Sequence, residues 1–172
     1  MKNIVLVGFM GTGKTAVSRA LAKKLGMKYV STDDLIEKKE KTGIKEIFAA
    51  KGETYFRKVE KKAIKEVSLM RNVVIDAGGG AVLDPENIED LKKHASLVCL
   101  WAEAETILER TKKYTHRPLL NVSDPLAKIK ELIDYRKQFY ERADYHVHTS
   151  RMTVDRVVSE IEGVLKDDPR NK

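Results

Sequence analysis

Residues 2–17 read KNIVLVGFMGTGKTAV, a short apolar run, then glycines, a lysine and a threonine in the spacing G-x-x-x-x-G-K-T, then a second apolar run. No other feature restricts the fold as strongly. Lys2–Val7 is rich in β-branched residues and reads as a buried strand. Lys14–Leu25 reads as a helix, stopped by Gly26 as a left-handed cap. A strand that enters a glycine loop and leaves as a helix gathers backbone N–H groups and a positive helix end around one point, which suits phosphate oxygens. Gly11, Thr12, Gly13, Lys14, Thr15 and Ala16 are the expected nucleotide contacts. Lys14 would reach the last two phosphates and the Thr15 hydroxyl would ligate Mg²⁺. A nucleoside triphosphate with Mg²⁺ is therefore expected, and the loop alone does not separate a kinase from a GTPase, a motor or an ATP sensor.

The rest of the chain alternates strand and helix. Met27–Thr32, Asn72–Asp76, Ser96–Trp101 and Tyr145–Thr149 have strand character, making five strands with the first. Helical stretches are expected over Asp33–Thr42, Ile44–Lys51, Glu53–Met70, Ala104–Thr111 and Val154–Leu165, the first two ended by Gly43 and Gly52. Asp84-Pro85 and Asp124-Pro125 each place a capping residue before a first-turn proline, so two more helices begin there, the second running to about Ala143. This order predicts an α/β, three-layer P-loop NTPase fold: a five-stranded parallel sheet flanked by helices, nucleoside-monophosphate-kinase-like, forming one domain over residues 1–172. Lys112–Ser123 is polar, contains proline and lacks periodicity, which predicts a lid loop.

Charge and composition remove several alternatives. The net charge of +7 comes from 33 basic and 26 acidic residues that interleave along helices, as in IEKKEKTGIKE, the pattern of a solvated face. No basic segment carries the aromatic platform of a base-stacking surface, so nucleic acid is not an expected partner. Nothing approaches the roughly 18 apolar residues of a membrane span, and the first apolar run leads into the glycine loop rather than a signal-peptide cleavage site. Cys99 is the single cysteine, sits in the apolar run LVCLW and is expected to be buried, which fits a reducing, cytoplasmic location. A guanine-recognition run Asn-Lys-x-Asp is missing, which argues against a GTPase.

Candidates for an acceptor site lie at three places. Ser31-Thr32-Asp33-Asp34 ends the second strand at the carboxyl edge where open α/β sheets bind ligands. A carboxylate there could handle a hydroxyl proton, or could cap the next helix in a capping box with Glu37. Arg136 falls among Leu126, Ile129, Ile133 and Tyr140, near the middle of its helix's apolar stripe. An inward guanidinium needs an anion, either an internal carboxylate or a ligand's. Arg57 has Glu53 and Glu60 one turn to either side, which by itself reads as a surface ion pair. His146-x-His148 lacks a third ligand nearby and reads as polar packing, and Trp101 reads as core.

Taken in order, GFMGTGKT, STDDLIE, EIFAAKGETYFRKVE, VIDAGGGAV, RPLL and YRKQFYERA resemble the shikimate kinases from Gly8 to Ala143. The resemblance implies ATP-dependent phosphorylation of the 3-hydroxyl of shikimate, giving shikimate 3-phosphate and ADP, in chorismate and aromatic amino acid biosynthesis. It implies that Asp33 binds the shikimate hydroxyls and that Arg57 and Arg136 grip its carboxylate. Gly78, Gly79 and Gly80 would approach the substrate through their backbone, with Gly79 in direct contact. Arg117 would be a lid arginine on the ATP phosphates, while Arg110 and Arg151 would lie towards the adenine. The acceptor region is expected at about residues 33–62, the lid at about 112–123, and the enzyme is expected to act as a monomer.

Asp33 is expected to keep an ordinary pKa of about 3.9 and to take the proton late. One position departs from the family pattern, because Ser31 stands where an acidic residue usually contributes to the Mg²⁺ surroundings. Asp76, at the end of the third strand, is expected to take over that role from the metal's second shell. A gluconate kinase on the same scaffold would not need the two arginines, the glycine triplet and RPLL together. A non-catalytic nucleotide-binding module would not need Lys14, Thr15, Asp33 and Arg117 intact.

Overall fold

The first strand, β1 (Asn3–Gly8), is buried at every position, as the centre of a parallel sheet covered on both faces requires. In the computed structural model, which describes residues 2–112 and 122–167, it is joined by β2 (Lys28–Ser31), β3 (Val73–Asp76), β4 (Ala95–Trp101) and β5 (Tyr145–His148). All strand pairs are parallel and the order is β2-β3-β1-β4-β5. The seven α-helices of the described residues are α1 (Lys14–Leu25), α2 (Thr32–Glu40), α3 (Ile44–Ser68), α4 (Pro85–Lys92), α5 (Ala104–Thr111), α6 (Pro125–Tyr140) and α7 (Val154–Lys166), and a 3₁₀ turn spans Ala81–Leu83.

Period-two alternation along the strands separates two cores. Ile4 and Leu6 face α1 and α7, meeting Val17, Leu21, Val157 and Ile161. Val5 and Val7 face the other way, into a larger core with Ile64, Val67, Leu91, Ile129 and Tyr140 from α3, α4 and α6. Helix, sheet and helix thus form the three expected layers. Ile36, Ile47, Phe56 and Ala63 make a smaller cluster between α2 and α3 and hold these two helices together beyond the sheet edge.

Helix ends follow local chemistry. The Asp84 and Asp124 carboxylates accept from the backbone N–H of Glu86 and Ala127 at 2.9 and 3.0 Å, as the cap-plus-proline pairs require. α2 departs from expectation. It begins at Thr32, and its cap is the Ser31 hydroxyl, which accepts from the Asp34 N–H at 3.1 Å. Glu37 therefore closes no capping box; its carboxylate accepts from Ile44 N–H at 2.9 Å and caps α3 instead. The two helices expected around Gly52 run on as α3, with a sharp break where Gly52 takes φ 76° and ψ 173°. α6 ends three residues before the expected Ala143. Most of the expected lid, residues 113–121, lies outside the described residues, as do 168–172. No helix of the described residues is long and apolar enough to cross a membrane.

Candidate active site

Because every strand runs the same way, the carboxyl ends of β1, β2 and β3 deliver their loops to one edge of the sheet. Residues 9–13 follow β1, residues 32 and 33 follow β2, and residues 77–80 follow β3. They surround a cleft of about 1010 Å³ that α3, α5 and α6 complete, with Arg57, Arg110 and Arg136 among its walls.

At the phosphate-loop end, Gly11 and Gly13 hold φ of 77° and 97°, which turns successive N–H groups inward before α1 begins. The Lys14 ammonium folds back over the loop and donates to the carbonyls of Gly8 and Phe9 at 2.8 and 3.2 Å. Thr15 Oγ1 donates to Asp76 Oδ2 at 2.6 Å, and the Tyr29 hydroxyl donates to the same oxygen at 3.3 Å. Strand register explains the meeting, since Ser31 lies beside Asp76 and Tyr29 stands two residues earlier on the same face. Sequence reasoning found Thr15 and Asp76 but missed Tyr29, for which the alternation from Ser31 was the available signal. Arg110 reaches from α5 to the Gly11 carbonyl at 3.1 Å and to Thr149 at 3.0 and 2.9 Å. Thr149 Oγ1 in turn donates to the Thr12 carbonyl at 2.8 Å. The guanidinium therefore ties the phosphate loop to the end of β5. Arg151 follows in that same loop, exposed and with φ 63°, on the cleft wall.

Across the cleft, Gly78 abuts Asp33 and Glu60, Gly80 abuts Arg57, and Gly79 lies between the phosphate-loop backbone and Arg136. A Cβ on Gly78 would stand 2.7 Å from Asp33 Oδ1, one on Gly79 4.0 Å from Arg136 Nη1, and one on Gly80 2.6 Å from Arg57 Nη2. At Gly78 and Gly80 only a missing side chain lets Asp33 and Arg57 close on the backbone, whereas a Cβ at Gly79 would make ordinary contacts. Arg57 is not a plain surface pair. Its Nη1 donates at 2.6 Å to Glu60, whose side chain is buried, while the exposed Glu53 lies at 3.3 Å. Burial pushes the Glu60 carboxyl above its usual range and the Arg57 charge opposes the rise.

Arg136 is 9% exposed, lies over the Phe9 ring at 5.5 Å and donates weakly to the Gly79 carbonyl at 3.4 Å. Its Nε is buried with no partner, and among the described residues no carboxylate forms a salt bridge with it. The geometry thus favours an external anion over an internal ion pair. Asp33 departs from the expected ordinary acidity. Burial raises its pKa to about 6 against the opposing Lys14 charge, with Asp76, Glu37 and Asp34 adding smaller upward pushes.

Two weaker candidates resolve simply. His146 Nδ1 accepts from Trp101 Nε1 at 3.0 Å, and the described residues contain no group of three or more side chains placed to hold a metal. Trp101 is partly exposed rather than core, with its ring edge-to-face with Tyr140 at 5.7 Å. Cys99 is fully buried, and desolvation pushes its thiol up to about 12. Arg117 lies outside the described residues.

A family model described as shikimate kinase matches residues 10–166. The chain belongs to the shikimate kinase family. Family relatives include the shikimate kinase of Thermodesulfovibrio yellowstonii, 47% identical over 94% of this chain and 93% of the relative. That of Caldanaerobacter subterraneus subsp. tengcongensis is 46% identical over 94% of both. Among solved structures, the shikimate kinase from Acinetobacter baumannii in complex with shikimate superposes with a TM-score of 0.93 at 35% identity, covering 98% of this chain and 95% of that one. The five-stranded parallel sheet and its flanking helices are thus the shikimate kinase version of the P-loop kinase fold.

Proposed function

We infer that the protein transfers the terminal phosphate of ATP to the 3-hydroxyl of shikimate, giving shikimate 3-phosphate and ADP in the route through chorismate to the aromatic amino acids. One observation carries the reading beyond family membership. Two guanidinium groups and the half-buried Asp33 carboxylate converge on a glycine triplet, across the cleft from a phosphate loop. That set suits a molecule with one carboxylate and several hydroxyls.

In this reading Arg136 and Arg57 hold the substrate carboxylate, Arg136 through a guanidinium on the cleft wall that forms no salt bridge among the described residues and Arg57 with its fork aimed by Glu60. The Gly78–Gly80 backbone lies against the ring. Asp33 sits by the hydroxyls; with a pKa near 6 it is still mostly ionised at neutral pH and can accept the 3-hydroxyl proton as the oxygen bonds to phosphorus. The phosphorus–oxygen bond to ADP breaks as the new one forms, so the residues mainly position and neutralise charge. Gly11–Ala16 cradle the phosphates, with Lys14 swinging from its loop carbonyls onto the terminal pair. Arg110 acts by fixing that loop to Thr149, and Arg151 flanks the adenine end.

The Thr15 hydroxyl and the Asp76 carboxylate, hydrogen-bonded to each other, are hard oxygen donors of the kind Mg²⁺ prefers. Thr15 would hold the ion directly and Asp76 would support it from the second shell; bound there, Mg²⁺ neutralises phosphate charge. Residues 112–123 would serve as the lid and Arg117, outside the described residues, would add positive charge at the phosphates, so that closure would exclude water from the transferring group. The acceptor-binding region is residues 33–62 within a single domain. The enzyme works as a cytoplasmic monomer, with neither nucleic acid nor membrane as partner.

A coupled assay with ATP, Mg²⁺ and a panel of hydroxy acids tests the reading. Rapid turnover with shikimate supports it; turnover of gluconate instead, or nucleotide binding without turnover of any acceptor, rejects it.

A further inference from the structure

Tyr140 is the largest side chain buried below 2% exposure, at the end of α6 and one turn beyond Arg136. A phenol so placed must satisfy its hydroxyl, and it does so inside the acceptor site rather than in the core. Its O–H donates to the Gly79 carbonyl at 2.7 Å, a shorter contact than the 3.4 Å from Arg136 to the same oxygen. The Arg136 guanidinium faces that hydroxyl from the same side of the helix. The ring cannot drift, because Trp101 packs edge-to-face against it and is itself held by His146.

We propose that Tyr140 is a positioning residue for acceptor binding: its hydroxyl locks the Gly79–Gly80 peptide and sets the Arg136 guanidinium at the angle that receives the substrate carboxylate. A planar trans peptide makes the link strict. With the Gly79 carbonyl pinned towards α6, the Gly80 N–H must point the opposite way, away from α6. Without the hydroxyl, the Gly79 carbonyl keeps only the long contact from Arg136. That contact then draws the guanidinium away from the carboxylate it should meet. The proposal rests on the assignment of this end of the cleft to the acceptor.

Tyr140→Phe keeps the ring and its packing while removing the bridge. The variant should raise the shikimate KM about tenfold and the calorimetric shikimate Kd by the same factor. The ATP KM and kcat should stay within twofold, since the Tyr140 hydroxyl bonds the Gly79 carbonyl and makes no hydrogen bond to the phosphate loop or Asp33. Arg136→Ala measured alongside separates the two levels of inference. If Arg136→Ala raises the shikimate KM and Tyr140→Phe leaves it unchanged, or moves the ATP and shikimate KM values together, the positioning role is overturned and the acceptor site stands. If Arg136→Ala itself spares shikimate, the acceptor assignment falls, and this proposal with it. Should Tyr140→Phe lower the melting temperature enough to cloud the kinetics, the calorimetric Kd on the folded protein at 15 °C decides by the same tenfold criterion.

Discussion

Thr15 on the first turn of α1 donates to Asp76 at the end of β3, 61 residues later, at 2.6 Å. The bond joins the phosphate loop to the strand that leads into the acceptor glycines, so the two halves of the cleft share one fixed point. Asp76→Asn should raise the Mg²⁺ concentration for half-maximal turnover on the order of tenfold, the usual cost of losing a residue that supports a metal indirectly. A Mg²⁺ titration of kcat checks this. An unchanged titration in Asp76→Asn, with Thr15→Ala impaired, would remove Asp76 from the metal's surroundings.

Arg136 is 9% exposed and its Nε is buried without a partner, so its charge is largely desolvated. Arg136→Ala should raise the shikimate KM on the order of a hundredfold, about 3 kcal/mol, the scale for losing one side of a desolvated charge pair. The ATP KM should stay within twofold. Equal damage to both would contradict a role confined to the acceptor.

Asp33 gives a pH signature. Its pKa rises from 3.8 to about 6 on folding, so kcat/KM for shikimate should fall as pH drops through about 6, where the proton acceptor becomes protonated. The stability consequence has the opposite direction. Below the unfolded value both states hold the proton and burial costs nothing; above pH 6 both are ionised and the folded state bears the desolvation cost. Asp33→Asn should therefore be more stable than the parent by roughly 1–3 kcal/mol at pH 8, with the gain fading as pH falls towards 4. Its turnover should drop by roughly 10²–10⁴. Denaturant melts at the two pH values give the first quantity, and a stability gain that persists at pH 4 would contradict the desolvation account.

Gly80 is held against a guanidinium that a methyl group would displace. Gly80→Ala should push Arg57 off its place beside Glu60 and raise the shikimate KM about tenfold or more, while leaving ATP binding and the far-ultraviolet circular dichroism unchanged. Shikimate kinetics at the parent level would mean that Arg57 moves freely and does not depend on the triplet.

Much of this was written in the sequence by itself. The spacing of Gly8, Gly13, Lys14 and Thr15, the cap-plus-proline pairs at 84–85 and 124–125, and the alternation of strand and helix depend on interactions a few residues apart. Such local chemistry prints directly into the chain. The inward place of Arg136 was likewise legible from helical period alone. What only the tertiary structure decided are contacts between elements distant in sequence. These include the meeting of Tyr29 with Asp76, the bridge from Tyr140 to Gly79, and the burial that shifts Asp33. No local pattern encodes these. Strand order and register set which residues become neighbours, and the acidity of a carboxyl follows from how much water its neighbours leave around it.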